Sequence, residues 1–360
     1  MTVTSVPTLT IARAMDRPVN NFALIRLGLA LAVVVSHAFS VTTGAVDDEP
    51  LYRATGFTLG EHAVNGFFAI SGFLVTMSFD GRGWRDYALA RALRIAPGLI
   101  AATLFTALLL GSALTRLPLG DYLASGRVWR FIATTLTTFK SSAALPGVFE
   151  TNPFRFPMGT VWTLKYEVLC YAGVLGAGLI GLTRKPGLSF AFVIALMGAA
   201  ALLGLARPDA PKGVETALRL SLIFAAGSCL YVWRDRARLS ALVFAVMVAL
   251  TAAAHGTFAY KPLLYASEAY GVIWLALGPR FPYDPAADLS YGTYLYGWPV
   301  QQSLHALLPS LGPLALLWPA LAITLLIAAA SWFLVEKPAL RLKARALGRR
   351  TLGTIEPAAP

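Results

Sequence analysis

The sequence predicts an all-α protein, a polytopic transmembrane helix bundle of about ten spans, and three observations support this prediction. Hydrophobic residues make up 57% of the chain and charged residues only 13%. The mean hydropathy is +0.64, and all these values lie outside the usual range of soluble domains. The apolar residues form segments of membrane-spanning length, with the basic residues clustered between them. This pattern is typical of a multi-pass membrane protein.

The net charge of +12 does not indicate a nucleic-acid-binding protein. The lysines and arginines lie in short connections, as in the loops of membrane proteins, and do not form one basic surface. Most of them lie in the two tails and the even-numbered connections, so we expect both termini in the cytoplasm. We find no internal repeat, which disfavours a transporter built from inverted halves.

The domain organisation follows from the apolar segments. Residues 1–20 contain no long apolar run and are predicted to form a loosely ordered cytoplasmic tail. We expect the transmembrane domain over residues 21–338 and a basic cytoplasmic tail over residues 339–360. The predicted spans cover residues 21–43, 62–79, 97–113, 160–183, 188–206, 217–233, 239–255, 262–278, 289–308 and 314–335.

Two of the connections are predicted to contain helices of their own. Residues 81–96 combine arginines with aromatic residues, which is typical of an interfacial helix, and Pro97 suits the first turn of the span that follows. Residues 114–159 form the longest polar interruption. We expect a half-buried amphipathic helix and a loop on the outer side there, with a tilted extra span through 122–139 as the alternative.

The first span is interrupted by two ionisable residues, Arg26 and His37. Eleven positions at 100° each bring both side chains to one face, about 16 Å apart along the helix axis. An arginine at the centre of a span raises the free energy of membrane insertion by roughly 2.5–3.5 kcal/mol, so such residues usually face a protein interior or a water-filled cavity. We therefore predict a functional site at this pair; a structural polar pair that joins helices is the alternative.

Six motifs follow one another along the chain, and together they resemble the acyltransferase family three over about residues 18–340. They are Arg26 and His37 with ten residues between them, Phe67-Phe68-Ala69-Ile70-Ser71-Gly72-Phe73-Leu74, Arg91-x-x-Arg94-Ile95-x-Pro97, Trp162-Thr163-Leu164-x-x-Glu167, Leu289-Ser290-Tyr291-Gly292-x-Tyr294-Leu295-Tyr296 and Glu336-x-Pro338. Members of this family are integral membrane enzymes that move acyl groups, often acetyl, from cytoplasmic coenzyme A to carbohydrates. Many of them follow the tyrosine motif with His-x-Pro, whereas this chain has Gly297-Trp298-Pro299.

The resemblance implies roles for His37, Arg26, Arg91 and Arg94. We expect the arginines to hold the phosphates of acyl-CoA, the expected donor, because guanidinium forks match phosphate oxygens. For Arg91 and Arg94, charge that only sets the topology is the alternative. The pantetheine arm then extends toward His37. That imidazole is expected either to deprotonate the acceptor hydroxyl for direct attack or to accept the acyl group first, and the sequence does not separate the two.

Further residues are assigned to the acceptor side of the reaction. Glu167 is expected to orient the imidazole or to activate the acceptor hydroxyl, and an ion pair with Lys165 or Arg155 is the alternative. Four residues are expected to stack on and hydrogen-bond to a sugar: Trp162, Tyr294, Trp298 and Gln302. An interfacial aromatic belt is the alternative for the two tryptophans.

The sequence thus predicts a membrane O-acyltransferase that uses acyl-CoA, with acetyl-CoA as the expected donor, and modifies a hydroxyl of a cell-envelope or exported polysaccharide or glycolipid. We expect it in the inner (cytoplasmic) membrane of a bacterium, in contact with membrane lipids and without nucleic acid as a partner. A transporter or flippase that moves the acceptor without acyl chemistry is the alternative. No spacing of histidines or cysteines predicts a metal site.

Overall fold

The protein is almost entirely helical in a computed structural model that describes residues 9–81, 83–140, 142–207, 210–281, 283 and 285–346. Side chains are described as far as Leu342. Most of the predicted tail at 339–360 therefore lies outside the described residues, as do positions 1–8 of the predicted tail at 1–20.

The helices follow one another with short connections except after α7. Their bounds are α1 Ile11–Met15, α2 Phe22–Thr43, α3 Pro50–Thr55, α4 Leu59–Asp80, α5 Trp84–Leu114, α6 Leu119–Ala124, α7 Gly126–Thr138, α8 Leu164–Leu179, α9 Pro186–Ala206, α10 Lys212–Val232, α11 Ala241–Ala253, α12 Tyr260–Leu277, α13 Ser290–Leu307 and α14 Pro313–Leu342. Two short strands, β1 Leu9–Thr10 and β2 Arg238–Leu239, pair in antiparallel orientation.

Six of these helices are long and apolar enough to cross a membrane: α2, α4, α5, α9, α10 and α14. A helix of about 20 residues matches the roughly 30 Å hydrocarbon core, so the chain has the character of a multi-pass membrane protein. The other predicted spans coincide with α8, α11, α12 and α13, which are shorter or more polar. The count of about ten spans and the cytoplasmic termini stay predictions.

The prediction of a separate interfacial helix before Pro97 is wrong. Trp84–Leu114 is one continuous helix, and Pro97 lies in its interior and not in a first turn. The sequence suggested a boundary because proline removes one backbone hydrogen bond. Membrane helices tolerate that loss where neighbouring helices and local adjustments satisfy the freed groups, and α5 widens into a π-helical segment at Phe105–Leu110.

The region 114–159 contains the amphipathic helix that the sequence predicts, as α7. Its buried side chains are Val128, Phe131 and Thr135, spaced three and four residues apart. Its 13 residues extend only about 20 Å, which is too short to cross a membrane. The alternative of a tilted span through 122–139 is therefore not supported, and the loop after α7 packs against α13, as described below.

The N-terminal residues from Leu9 onward are ordered, which corrects the prediction of a loosely ordered tail. Ile11 and Ala14 of α1 are buried, and β1 pairs with β2. Arg17 donates hydrogen bonds to the carbonyl oxygens of Leu277 and Gly278, where a cation is favoured by the C-terminal end of the α12 dipole. A segment this short gives no hydropathy pattern from which these contacts could be predicted.

Helix α4 lies at the centre of the bundle, against α2, α8, α10 and α12. Its closest neighbour is α10, because glycines on both helices remove the side chains between them. A Cβ atom at Gly72 would lie 1.9 Å from the carbonyl oxygen of Phe224, and one at Gly227 would lie 2.0 Å from that of Ala69. Small residues allow such close approach of membrane helices. The position of α4 therefore depends on these two glycines.

Substitution of Gly72 by alanine should lower the stability of the bundle. The added methyl group has to push α4 and α10 apart, and overpacking of this kind costs roughly 1–3 kcal/mol. We expect a lower midpoint of thermal unfolding in detergent. Gly173→Ala is the matched control, because a Cβ atom there meets open space and alanine favours a helix. Equal midpoints for the two variants would contradict the prediction.

Candidate active site

Two of the predicted arginines bind the same carboxylate. Arg26 of α2 donates from Nη1 to Oδ2 of Asp288 at 3.0 Å, and Arg94 of α5 donates from Nη2 to the same oxygen at 2.7 Å. The second carboxylate oxygen accepts from the backbone N–H of Ser290 at 3.2 Å and from its hydroxyl at 2.5 Å. Asp288 therefore joins α2, α5 and the N-terminal end of α13 at one buried point.

The charges of this cluster are largely buried. Two guanidinium groups share one carboxylate, and Asp288 is only 5% exposed. Buried charges are tolerated when they are paired and hydrogen-bonded, as here. Asp288 thus places one negative charge between two positive ones, and the carboxylates of Glu167 and Glu336, described below, add negative charge to the same region.

Glu167 lies in the same region, on α8. It accepts hydrogen bonds from the hydroxyl of Tyr171 and, at 3.4 Å, from that of Ser71. The guanidinium of Arg91 lies 5.7 Å from the centre of the Tyr171 ring. The alternative of an ion pair with Lys165 or Arg155 is not found among the described residues, and the Lys165 ammonium lies instead over the ring of Tyr166.

One cavity collects these side chains. It has a volume of about 80 Å³, which is room for two or three water molecules. Its polar lining includes Arg26, Arg91, Arg94, Glu167, Ser71 and Tyr294. We call it the arginine cavity. The sequence predicted five of these residues for the site from four separate motifs, all of them except Ser71, and the fold brings them together.

Glu336 lies next to the arginine cavity, at the end of a π-helical turn in α14. It is buried, and its Oε1 accepts a hydrogen bond from Ser331 at 2.9 Å. A Cβ atom at Gly98, one turn after Arg94, would lie 3.5 Å from Cγ of Glu336 and 2.7 Å from the Tyr291 ring. This close packing brings a further carboxylate toward the arginines. Single π turns inside α-helices are frequent at functional sites.

His37 lies further along α2 and packs against α13. Its ring meets the ring of Trp298 edge-on, with centroids 4.9 Å apart. Arg26 contacts Asp288, just before α13, and His37 contacts Trp298 on α13. Both side chains therefore face the same side of α2, as their spacing predicts. Within the described part of the chain, no hydrogen bond involves either ring nitrogen of His37. A direct hydrogen bond from an imidazole N–H to Glu167, which would orient the ring, is likewise absent there.

Trp298 and Gln302 hold the long loop after α7 onto α13. The Trp298 ring stacks on Phe156 at 5.3 Å, and its Nε1 donates to the Phe156 carbonyl at 2.9 Å. Gln302 donates to the carbonyl of Phe154 and accepts from Asn152 at 2.6 Å. The polar groups of both residues are thus used within the protein. This geometry favours positioning of the loop over direct contact with a sugar.

The two other residues predicted for the acceptor differ in whether they line the arginine cavity. The Tyr294 hydroxyl bonds to Thr163 at 2.6 Å and to the Thr160 carbonyl at 2.9 Å, and its ring lines the arginine cavity. Trp162 packs edge-on against Tyr166 and is not part of that cavity lining. Tyr294 and Trp298 are one helical turn apart on α13, so one face of α13 leads from the cavity to His37.

The comparison with known proteins identifies the family. A sequence profile described as "Acyltransferase domain" matches residues 19–336. This chain belongs to that acyltransferase family. It is therefore an acyltransferase, as the sequence motifs predicted, and not a transporter without acyl chemistry.

Two relatives of this acyltransferase are similar over nearly their whole length. A protein named O-acetyl transferase, from Shigella phage Sf6, is 27% identical over 88% of this chain and 95% of its own. Nodulation protein 10 of Rhizobium leguminosarum bv. viciae is 26% identical over 92% of this chain and 96% of its own. No solved structure matches the chain.

Asp288 and Glu336 lie at the candidate site, and the sequence analysis gave neither of them a role. Glu336 stands in the last of the six motifs, and Asp288 directly precedes the fifth. The signal available for both was a carboxylate beside an apolar span, which is costly unless it is paired. Reading them as partners of the predicted arginines would have located the cluster. Among the described residues, no group of three or more His, Cys, Asp or Glu side chains is arranged to hold a metal.

Substitution of Asp288 by asparagine should destabilise the protein strongly. The variant leaves Arg26 and Arg94 buried without their shared counter-charge, and breaking a buried pair in this way costs roughly 3–5 kcal/mol. We expect a lower midpoint of thermal unfolding in detergent and less folded protein in the membrane. Asp48→Asn is the control, because Asp48 is exposed. An unchanged midpoint for Asp288→Asn would show that Asp288 does not hold these helices together.

Proposed function

We propose that this acyltransferase transfers an acyl group, acetyl in particular, from cytoplasmic acyl-CoA to a hydroxyl of a cell-envelope glycan or glycolipid. The observation that carries the proposal is the convergence of Arg26, Arg91 and Arg94 on one cavity, with His37 further along the same side of α2. The name of the phage relative, O-acetyl transferase, supports acetyl as the group. We propose the inner membrane of a bacterium as the location.

The donor end of the proposal rests on the geometry of the arginine cluster. Phosphate oxygens and the Asp288 carboxylate compete for the same guanidinium forks, and Arg26 and Arg94 offer the fork geometry that matches phosphate oxygens. The cavity of about 80 Å³ is too small for a whole coenzyme A molecule. Binding therefore requires these side chains to move, with phosphate taking the place of Asp288 on at least one arginine.

The reactive end of the proposal rests on His37. About 16 Å of helix separates it from Arg26, which is comparable to an extended pantetheine arm. Its ring nitrogens are not engaged by the described residues, so one of them is available to take a proton or to attack a carbonyl carbon. Its contact with Trp298 fixes the ring at the loop after α7, which we propose as the acceptor side.

Two sequences of steps are consistent with this arrangement. In direct transfer, the imidazole takes the proton of the acceptor hydroxyl while the hydroxyl oxygen attacks the thioester carbon, and the coenzyme A thiolate leaves. In the relay, the imidazole first attacks the thioester carbon, the C–S bond breaks, and coenzyme A leaves as its thiolate. The acceptor oxygen then attacks the acyl carbon, the C–N bond to the imidazole breaks, and the released imidazole takes the proton of the hydroxyl. An acyl group found on His37 after incubation with donor alone supports the relay.

Substitution of His37 by alanine should abolish acyl transfer without preventing folding. Loss of a general base or nucleophile lowers the rate about 10²- to 10⁴-fold. The measurement is incorporation of label from acetyl-CoA into extracted surface glycan by membranes that contain the protein. Thr43→Ala, an exposed change at the end of the same helix, is the control. Transfer at more than a tenth of the wild-type rate in His37→Ala would exclude both sequences of steps.

Substitution of Arg94 by lysine should weaken use of the donor. Lysine keeps the charge but loses the planar fork that binds two oxygens at once, so we expect KM for acetyl-CoA to rise about tenfold, the effect of roughly 1.4 kcal/mol. The matched control is Arg130→Lys, on the exposed face of α7. If KM stays constant while the rate falls, then Arg94 acts on the reaction and not on donor binding.

A further inference from the structure

A second cavity lies on the opposite side of α4 from the arginine cavity, and its volume is about 620 Å³. Its walls are α2, α4, α11, α12 and the end of α3. Along α12 the lining runs from Tyr260 to Leu275, about 22 Å at 1.5 Å per residue. A cavity of this volume is in the range that binds drug-sized ligands, and its length is most of the roughly 30 Å thickness of a bilayer core.

The polar side chains of this cavity are confined to one part of it. Glu268 on α12 marks the end of this polar part. The other polar residues that line it are Thr55, His62, Thr251, His255, Tyr260 and Ser267. Beyond Glu268 the lining is apolar, from Gly66 on α4, Phe244 on α11 and Val272 and Leu275 on α12. The cavity is therefore itself amphipathic, with a polar part and an apolar part in line.

A hydrogen-bonded pair, His62 and Glu268, lies at the boundary between the two parts. Nδ1 of His62 bonds to Oε1 of Glu268, and Oε2 of Glu268 accepts from Asn65 at 2.8 Å. The side chains of His62 and Glu268 are 17% and 16% exposed. Both therefore face the cavity with part of their surface while the protein fixes their orientation.

A further contact fixes the other side of the His62 ring. Nε2 of His62 lies 3.0 Å from Oγ1 of Thr55. That hydroxyl also lies within hydrogen-bond distance of the carbonyl oxygens of Leu51 and Phe57. His62 is thus held between Thr55 and Glu268.

We propose that this cavity binds an uncharged lipid with one hydrocarbon chain and a hydroxyl-bearing head group, such as a glycolipid. The chain lies in the apolar part, and the hydroxyl groups bond to Glu268, Tyr260 and His255 in the polar part. An anionic head group is excluded because no lysine or arginine lines the cavity within the described residues and because Glu268 repels it. The proposal does not depend on acyl transfer.

The test is photolabelling of the full chain in lipid nanodiscs. One probe is a long-chain alkyl glucoside with a diazirine in its chain, and the other is a fatty acid with the same chain and label. We expect the glucoside to label peptides from residues 241–277 about fivefold more than the fatty acid, the selectivity of one hydrogen-bonded head group. Equal labelling by the two probes would overturn the proposal, because it would indicate ordinary bilayer contact.

Three variants locate the labelled site. Ala252→Trp narrows the cavity that Ala252 lines and should lower glucoside labelling about fivefold, whereas Ala199→Trp, on the exposed face of α9, should leave it unchanged. Glu268→Gln removes the negative charge and should admit the fatty acid. Labelling of the same peptides that survives Ala252→Trp places the site elsewhere and contradicts the proposal.

A competition experiment gives a second measurement if Ala252→Trp fails to fold. Excess unlabelled alkyl glucoside should remove the labelling of residues 241–277 in the wild-type protein, and excess unlabelled fatty acid should not. Removal by both competitors would overturn the proposal. Because binding is read without any donor, loss of acyl transfer in a His37 variant has no bearing on this result.

Discussion

The shared ion pair of Asp288 with Arg26 and Arg94 is the interaction on which the arrangement of the site depends. These three charges come from α2, α5 and the start of α13, and each would be costly to bury alone. Pairing one carboxylate with two guanidinium groups fixes the three helices relative to one another. In the proposed function, the same two guanidinium groups also contact the phosphates of the donor.

The positions of the helices could be predicted from hydropathy, but their continuity and depth could not. Each predicted span coincides with a helix, because an apolar run of about 20 residues has few alternatives in a bilayer. The prediction of a helix boundary at Pro97 was wrong because the free-energy cost of a proline inside a helix depends on the neighbouring helices, which the sequence of one segment does not show. The ordered strand and helix between Leu9 and Met15 were missed because only a few side chains hold them.

The candidate site could be predicted residue by residue but not as an assembly. The motifs supplied Arg26, Arg91, Arg94 and Glu167, yet the carboxylate that joins two of them was found only in the structure. Helix periodicity places side chains on a face of one helix and says nothing of which other helix that face meets. For this reason the sequence put Glu167 near His37, whereas the fold puts it beside the arginines.

The separation of Arg26 and Asp288 along the chain has a consequence for biogenesis. The two residues are 262 positions apart, so at 5–20 residues per second a ribosome needs roughly 13–50 s to make the second after the first. Throughout that time the first helix is in the translocon or the bilayer with an uncompensated guanidinium, which snorkels toward the headgroups. The helix can reach its final depth only when nearly the whole polypeptide has been synthesised.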